Sequence, residues 1–212
     1  MPLPRDRDAI LAQAGVSRET AARLDLYVAQ LTRWQKVKNL IGPSTLPEVW
    51  NRHIADSLQL FDAAPHATRW LDLGSGAGIP GLILAIAGAE RPGFHVDLVE
   101  SNTRKGAFLQ ETARLTGAPA RIHVARIETV VAGFTEVQVV CARALAPLPQ
   151  LLSWTAPLLK NGVIGLFPKG REAAAELTAA RETWTFDVDV IPSRTDSAAG
   201  ILRISSLSGP LS

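Results

Sequence analysis

Hydrophobic positions change their period once along the chain, near Arg69. Before it, Leu24, Tyr27, Val28, Leu31 and Trp34 recur at spacings of three and four, and Ile54, Leu58 and Phe61 repeat the pattern. That spacing lines one face and predicts two or three amphipathic helices. Ser17, followed by Glu19 and Thr20, suits a helix start. Gly42-Pro43-Ser44 breaks the first long helix, and Ser44 or Thr45 is placed to cap the next. After Arg69 short apolar runs at 69–73, 96–100, 121–125, 137–142 and 163–167 read as strands covered on both faces. Helical stretches at 80–89, 103–116, 148–159 and 172–181 separate them, the alternation of a parallel sheet with helices on both sides. The last two β-patterned runs, 185–191 and 201–207, are joined by a polar loop and not by a helix, so they are expected to pair antiparallel. The chain divides into a helical extension, 1–68, and an α/β core, 69–212.

Composition narrows the classes. A chain of 212 residues can bury a full core and form one large domain, or one domain with a helical extension. The apolar stretch 82–89 stops at Glu90, too short to span a bilayer, and residues 1–8 mix Arg with Asp around no apolar signal core. A cytoplasmic, monomeric protein without a membrane segment is the expectation. The single cysteine, Cys141, excludes an internal disulfide framework and a cysteine-rich zinc site, and no metal is expected. A net charge of +2 is only mildly basic, so any nucleic-acid surface must come from local clustering.

The candidate chemistry starts at Trp70–Gly81, which reads W-L-D-L-G-S-G-A-G-I-P-G. Gly74, Gly76 and Gly78 can take positive φ and let a ligand lie on the backbone, while Pro80 suits the first helical turn. Gly76, Gly78 and Gly81 match the dinucleotide fingerprint, with Glu100 ending the second strand about twenty residues on. A triphosphate loop is disfavoured because no Gly-Lys-Ser or Gly-Lys-Thr follows. S-adenosylmethionine competes with NAD. Asp72, two residues before the glycines, and the antiparallel hairpin favour it, as in a Rossmann-like class I methyltransferase with a seven-stranded, mostly parallel sheet. Glu100, at a strand's carboxyl end, is placed to accept from ribose hydroxyls. Asp72 could reach the ligand or bond the backbone of the turn.

Further blocks carry a family resemblance. Trp34-Gln35-Lys36-Val37-Lys38-Asn39-Leu40 and Arg52-His53-Ile54-Ala55-Asp56-Ser57-Leu58 precede the glycine turn; Glu100-Ser101-Asn102, Ala125-Arg126-Ile127-Glu128, Ala142-Arg143-Ala144 and Phe167-Pro168-Lys169-Gly170-Arg171 follow it. In this order they resemble the bacterial glucose-inhibited division protein B (GidB) family over nearly the whole chain. The resemblance implies an S-adenosylmethionine-dependent methyltransferase acting on N7 of one guanine in small-subunit (16S) ribosomal RNA near the decoding site. It also implies that Gly74, Ile79, Ile127, Glu128 and Arg143 line or flank the cofactor; the glycine turn and the strand-end acid, read on their own, add Asp72, Ser75, Gly76, Gly78 and Glu100 to its seat. Many members carry Ser where this chain has Ala142, and no role is assigned there.

Missing motifs agree with N7 as the target. An exocyclic amine calls for an Asn/Asp-Pro-Pro-aromatic loop after the fourth strand, where this chain has Arg143-Ala144-Leu145-Ala146-Pro147. Pyrimidine carbon-5 calls for a cysteine nucleophile, and Cys141 sits in an apolar strand as a small buried hydrophobe. Guanine N7 carries an in-plane lone pair, so no general base is needed, no catalytic acid or base is assigned, and positioning carries the rate. RNA contacts are expected from Lys36, Lys38, Arg52, His53, Arg143, Lys169 and Arg171, with Arg104, Lys105 and Arg126 also near strand ends. Arg143, Lys169 and Arg171 are assigned to RNA phosphate or to the edge of the target guanine. His53 and Asp56, three apart, are expected to pair and fix the N-terminal helices against the sheet. A NAD-linked oxidoreductase and a catalytically silent RNA-binding protein remain the alternatives.

Overall fold

The computed structural model describes residues 6–36 and 39–210. Lys38, one of the basic positions expected at the RNA surface, lies outside the described residues. Helix α1 (Arg7–Ala14) ends on Gly15, in the left-handed conformation, and α2 (Arg18–Gln35) starts at Ser17, whose hydroxyl accepts from the Thr20 amide at 3.0 Å. Neither Ser44 nor Thr45 caps the next helix. Pro43–Glu48 forms a 3-10 turn instead, with Pro47 inside it, and the Thr45 hydroxyl donates back to Gly42 O. Pro47 lacks the N–H that a continuing α-helix requires. A π-type turn over Trp50–Ala55 follows and runs into two short helices, α3 (Asp56–Leu58) and α4 (Leu60–Ala63).

The rest alternates as the pattern predicts: β1 (Arg69–Leu73), α5 (Gly81–Ala87), β2 (His95–Glu100), α6 (Thr103–Thr116), β3 (Ala120–Val124), α7 (Ile127–Val130), β4 (Val139–Cys141), α8 (Leu148–Leu159), β5 (Ile164–Lys169), α9 (Ala173–Arg181), β6 (Trp184–Pro192) and β7 (Gly200–Pro210). Strand order is β3-β2-β1-β4-β5-β7-β6. The first five strands pair in parallel, and β7 runs antiparallel to both β5 and β6. Strand order reverses between β1 and β4, which opens a crevice at their carboxyl ends. Most boundaries shift by a residue or more from expectation, and two of the shifts bear on the site. Strand β4 is shorter than 137–142, because its ladder with β1 stops at the Asp72–Cys141 pair, just before the chain turns through Ala144 at φ 51°. Helix α5 opens at Gly81, with Pro80 as its cap and not inside its first turn.

Alternation along β1 divides the core. Leu71 and Leu73 join Val140, Leu151, Phe167 and Leu202 on one face. Trp70 joins Leu82 and Phe108 on the other, and there Leu24, Tyr27, Leu31, Trp50 and Ile54 of the N-terminal helices complete the same cluster. The helical extension therefore buries its stripe on the sheet layer and has no separate core among the described residues. Tyr27, fully buried, donates its hydroxyl to Ala77 O at 2.9 Å, tying α2 to the glycine turn.

Gly81 sits against that turn. A Cβ there would lie 2.5 Å from the Asp72 carboxylate oxygen, with buried groups all around. Gly81→Ala is expected to cost about 1–3 kcal/mol through overpacking. Gly133, with nothing within 4 Å of its added Cβ, should tolerate Ala within about 0.5 kcal/mol. Urea midpoints of the two variants measure the difference.

Candidate active site

Asp72, next to last in β1, has no exposed surface. Its Oδ2 accepts from the Gly81 amide at 3.1 Å, the Cys141 thiol lies 3.7 Å from Oδ1 as a weak donor, and the Ser75 hydroxyl donates to Asp72 backbone O at 3.1 Å. Burial pushes the Asp72 carboxyl up to about 7. It also pushes the Cys141 thiol up, with the adjacent Asp72 charge adding to it, which leaves that thiol a donor and not a nucleophile. Of the two roles open to Asp72, the structure places it in the turn. Ser75, Gly76 and Gly78 likewise build the turn. Gly74, Gly76 and Gly78 all have positive φ, and a Cβ on Gly74 would lie 2.4 Å from Leu145 Cδ1.

Glu100, buried at the end of β2, accepts from the Gly76 amide through Oε2 at 2.8 Å and from the Asn102 amide through Oε1 at 2.7 Å. A carboxylate has about four lone-pair sites, so each oxygen keeps one acceptor position. Glu100 lines a cavity of about 270 Å³ with Gly74, Ile127 and Glu128, four of the expected cofactor residues. Lys105, Arg126, Leu145 and Trp154 also border it. Trp154 carried no sequence signal beyond an aromatic beside the buried stripe of α8. Asp72, Ser75, Gly76, Gly78 and Ile79 shape the turn without lining this cavity.

A second cavity, of about 740 Å³, adjoins it, and Ala144 and Leu145 border both. Arg143, expected at the cofactor's edge, lines this larger cleft. Its Nη1 lies 3.3 Å from Asp56 Oδ2, and burial draws its pKa down. Lys169 also lines the cleft but is not a free cation. Its ammonium is 2.7 Å from Glu176 and donates to Ala146 O at 2.7 Å, while Glu176 accepts the Leu148 amide at 2.6 Å. These bonds hold the segment around Ala144, whose left-handed backbone costs roughly 1–3 kcal/mol for a non-glycine residue.

His53 corrects two expectations. It is 6% exposed and contacts Thr45 Oγ1 through Nε2 at 3.1 Å, so it neither pairs with Asp56 nor faces RNA. Burial, with the charge of Arg143, lowers its pKa to about 4 and keeps the ring neutral. Asp56 bonds Gln59 and Thr195 instead. Lys36, Arg52, Arg104, Arg126 and Arg171 are exposed, Arg52 within 3.9 Å of Glu48.

Residues 20–199 match the family model described as GidB, rRNA small subunit methyltransferase G. The chain belongs to the GidB family. Relatives named ribosomal RNA small subunit methyltransferase G include one from Methylobacterium sp. (strain 4-46), 81% identical over 210 residues and covering 99% of each chain. Another, from Methylobacterium nodulans, is 83% identical over 207 residues, covering 97% of this chain and 98% of the relative. Among solved structures, a methyltransferase from Geobacter sulfurreducens superposes with a TM-score of 0.59 at 12% identity, covering 85% of this chain and 88% of that one. The fold is that of the class I methyltransferases.

Membership in GidB decides between the two cofactors that the glycine pattern left open. The smaller cavity fits S-adenosylmethionine: a glycine floor without side chains, an acid with free acceptor positions for a ribose diol, and the apolar Ile127 beside Glu128. Among the described residues, no group of three or more His, Cys, Asp and Glu side chains is arranged to hold a metal.

Asp72 makes stability depend on pH. The folded chain holds its proton more tightly than the unfolded one, whose Asp titrates near 3.9. Its contribution is therefore full below about pH 4 and lost as pH rises through about 7. The urea midpoint of the wild type should fall from pH 5 to pH 8 more steeply than that of Asp72→Asn, which cannot ionise; parallel profiles would refute the assignment.

Proposed function

We propose that this GidB protein transfers the methyl group of S-adenosylmethionine to N7 of a specific guanine in small-subunit (16S) ribosomal RNA near the decoding site. The observation that carries this reading is the pair of adjoining cavities at the carboxyl ends of the strands. One is floored by Gly74 and edged by Glu100; the other is lined by Arg143; Ala144 and Leu145 border both. Bound in the first, the cofactor supplies an electrophilic methyl on a sulfonium. A base held in the second would meet that methyl where the two cavities adjoin, at the border lined by Ala144 and Leu145.

The protein's task is to orient the base and exclude water. N7 presents an unprotonated lone pair, so attack needs no general base, and alignment accounts for much of the rate. Cys141 is buried against Asp72 and lines neither cavity, which leaves the site without the nucleophile that pyrimidine carbon-5 methylation would need. Gly74, Glu100, Ile127 and Glu128 are assigned to the cofactor, and Asp72, Ser75, Gly76, Gly78 and Ile79 to the shape of its seat. Arg143 is assigned to the target base. Lys36, Arg52 and Arg171, all exposed, are assigned to phosphates, where Arg offers a planar fork. Lys169 acts through the Ala146 carbonyl, positioning the wall and not touching RNA. Cytoplasmic, monomeric action fits this reading; among the described residues no helix is long and apolar enough to cross a membrane.

Small subunits from cells lacking the gene, incubated with the purified chain and S-adenosylmethionine, should gain a single N7-methylguanine, mapped by cleavage at the modified base. No mark, or a mark on another atom, would overturn the reading, and binding without transfer would identify a silent RNA binder. Glu100→Gln turns one acceptor into a donor facing a backbone amide, and should weaken cofactor binding by about 10- to 100-fold in calorimetry through lost charge-assisted bonds.

A further inference from the structure

The Arg143 side chain is 22% exposed, yet its one ion-pair contact among the described residues is Asp56. Nη1 is buried without a hydrogen bond among those residues. A guanidinium carries five donors in a rigid fork, and a buried donor left unmet is costly. Asp56 is its complement. Oδ1 accepts from Gln59 Nε2 at 2.8 Å and from Thr195 Oγ1 at 2.9 Å, which leaves Oδ2 toward Arg143 alone. Both residues line the larger cleft, beside the Ala144 and Leu145 wall. The cleft lining thus sets a guanidinium beside a carboxylate, the carboxylate tied at Oδ1 and the guanidinium's Nη1 without a hydrogen bond among the described residues.

We infer that Arg143 and Asp56 together read the identity of the target base, Arg143 donating to O6 of guanine and Asp56 Oδ2 accepting from N1–H. This deepens the proposed function and rests on it. O6 and N1–H are neighbours on the guanine ring, in the same donor–acceptor order as the pair. Adenine presents an amino group in place of O6 and a bare nitrogen in place of N1–H, so both contacts invert and like groups face each other. An arginine that engaged O6 and N7 together, the common pairing in DNA grooves, would occupy the lone pair that must react. Reading O6 and N1–H leaves N7 free. Methylation places positive charge on the purine, and a carboxylate at N1–H stabilises that charge as it develops. Asp56 is therefore a specificity-determining residue that takes up no proton.

Small subunits reconstituted with guanine, inosine or 2-aminopurine at the modified position test this. Inosine keeps N7, O6 and N1–H; 2-aminopurine keeps N7 and the 2-amino group but loses both groups that the pair reads. The wild type should methylate inosine within about 3-fold of guanine and 2-aminopurine at least about 100-fold more slowly, the discrimination expected of a site whose buried polar groups go unmet. Asp56→Asn, of the same shape, should lower the guanine rate by about 100-fold while bringing guanine and 2-aminopurine within about 10-fold of each other, with cofactor affinity unchanged. Inosine as poor as 2-aminopurine in the wild type, or an Asp56→Asn variant that retains wild-type discrimination, would overturn the inference. If the wild type fails on guanine-bearing subunits, the proposed function itself falls.

Discussion

A single buried carboxylate fixes the geometry on which the site depends. Asp72 joins the end of β1 to the start of α5 by accepting the Gly81 amide, and its environment allows that because Gly81 has no side chain to compete for the space. The turn between them is then held from three directions. Cys141 on β4 approaches Asp72, Tyr27 on α2 donates to Ala77, and Gly76 donates to Glu100 at the end of β2. Each bond comes from a different element. The loop is consequently tied down by three other elements, and on the proposed reading cofactor binding need not supply the cost of ordering it.

The opposite wall depends on a different device. The segment after β4 passes through Ala144 in a conformation that favours glycine, and no glycine is there. What holds it is a chain of charged bonds: Lys169 to Ala146 O and to Glu176, and Glu176 to the first amide of α8. Leu145 is thereby set against Gly74. An alternative residue at either Lys169 or Glu176 would remove a bond that holds this segment.

Much of this was legible in the sequence because it rests on local rules. The ranges 103–116 and 148–159 coincide with α6 and α8, since the apolar period marks both and Asn102 caps the first from beside it. The antiparallel end of the sheet was readable because a polar loop is too short to carry a crossover helix. Partnerships across long separations were not. His53 and Asp56 have pairing distance in sequence, but Asp56 faces Arg143 and Thr195, brought to it by the sheet, and His53 is buried against Thr45. Lys169 has the composition of a phosphate ligand, yet Glu176, one turn into the next helix, satisfies it first. Asp72 left two roles open because nothing in its neighbours' letters reveals whether it is buried. Trp154 gave no warning, since an aromatic on the edge of a helical stripe is ordinary core.

Strand β7 lies inside the sheet, between β5 and β6, although it follows both in the chain. During synthesis β5 therefore waits with one edge unpaired until residues 200–210 have left the ribosome, and β6 has no neighbour at all in the meantime. An open edge of that kind is a template for pairing with another nascent chain. The order of insertion makes completion of the sheet a late event. The protein is built so that its last strand seals the structure like a keystone, and a ribosome stalled before residue 200 would carry a methyltransferase core with its side still open.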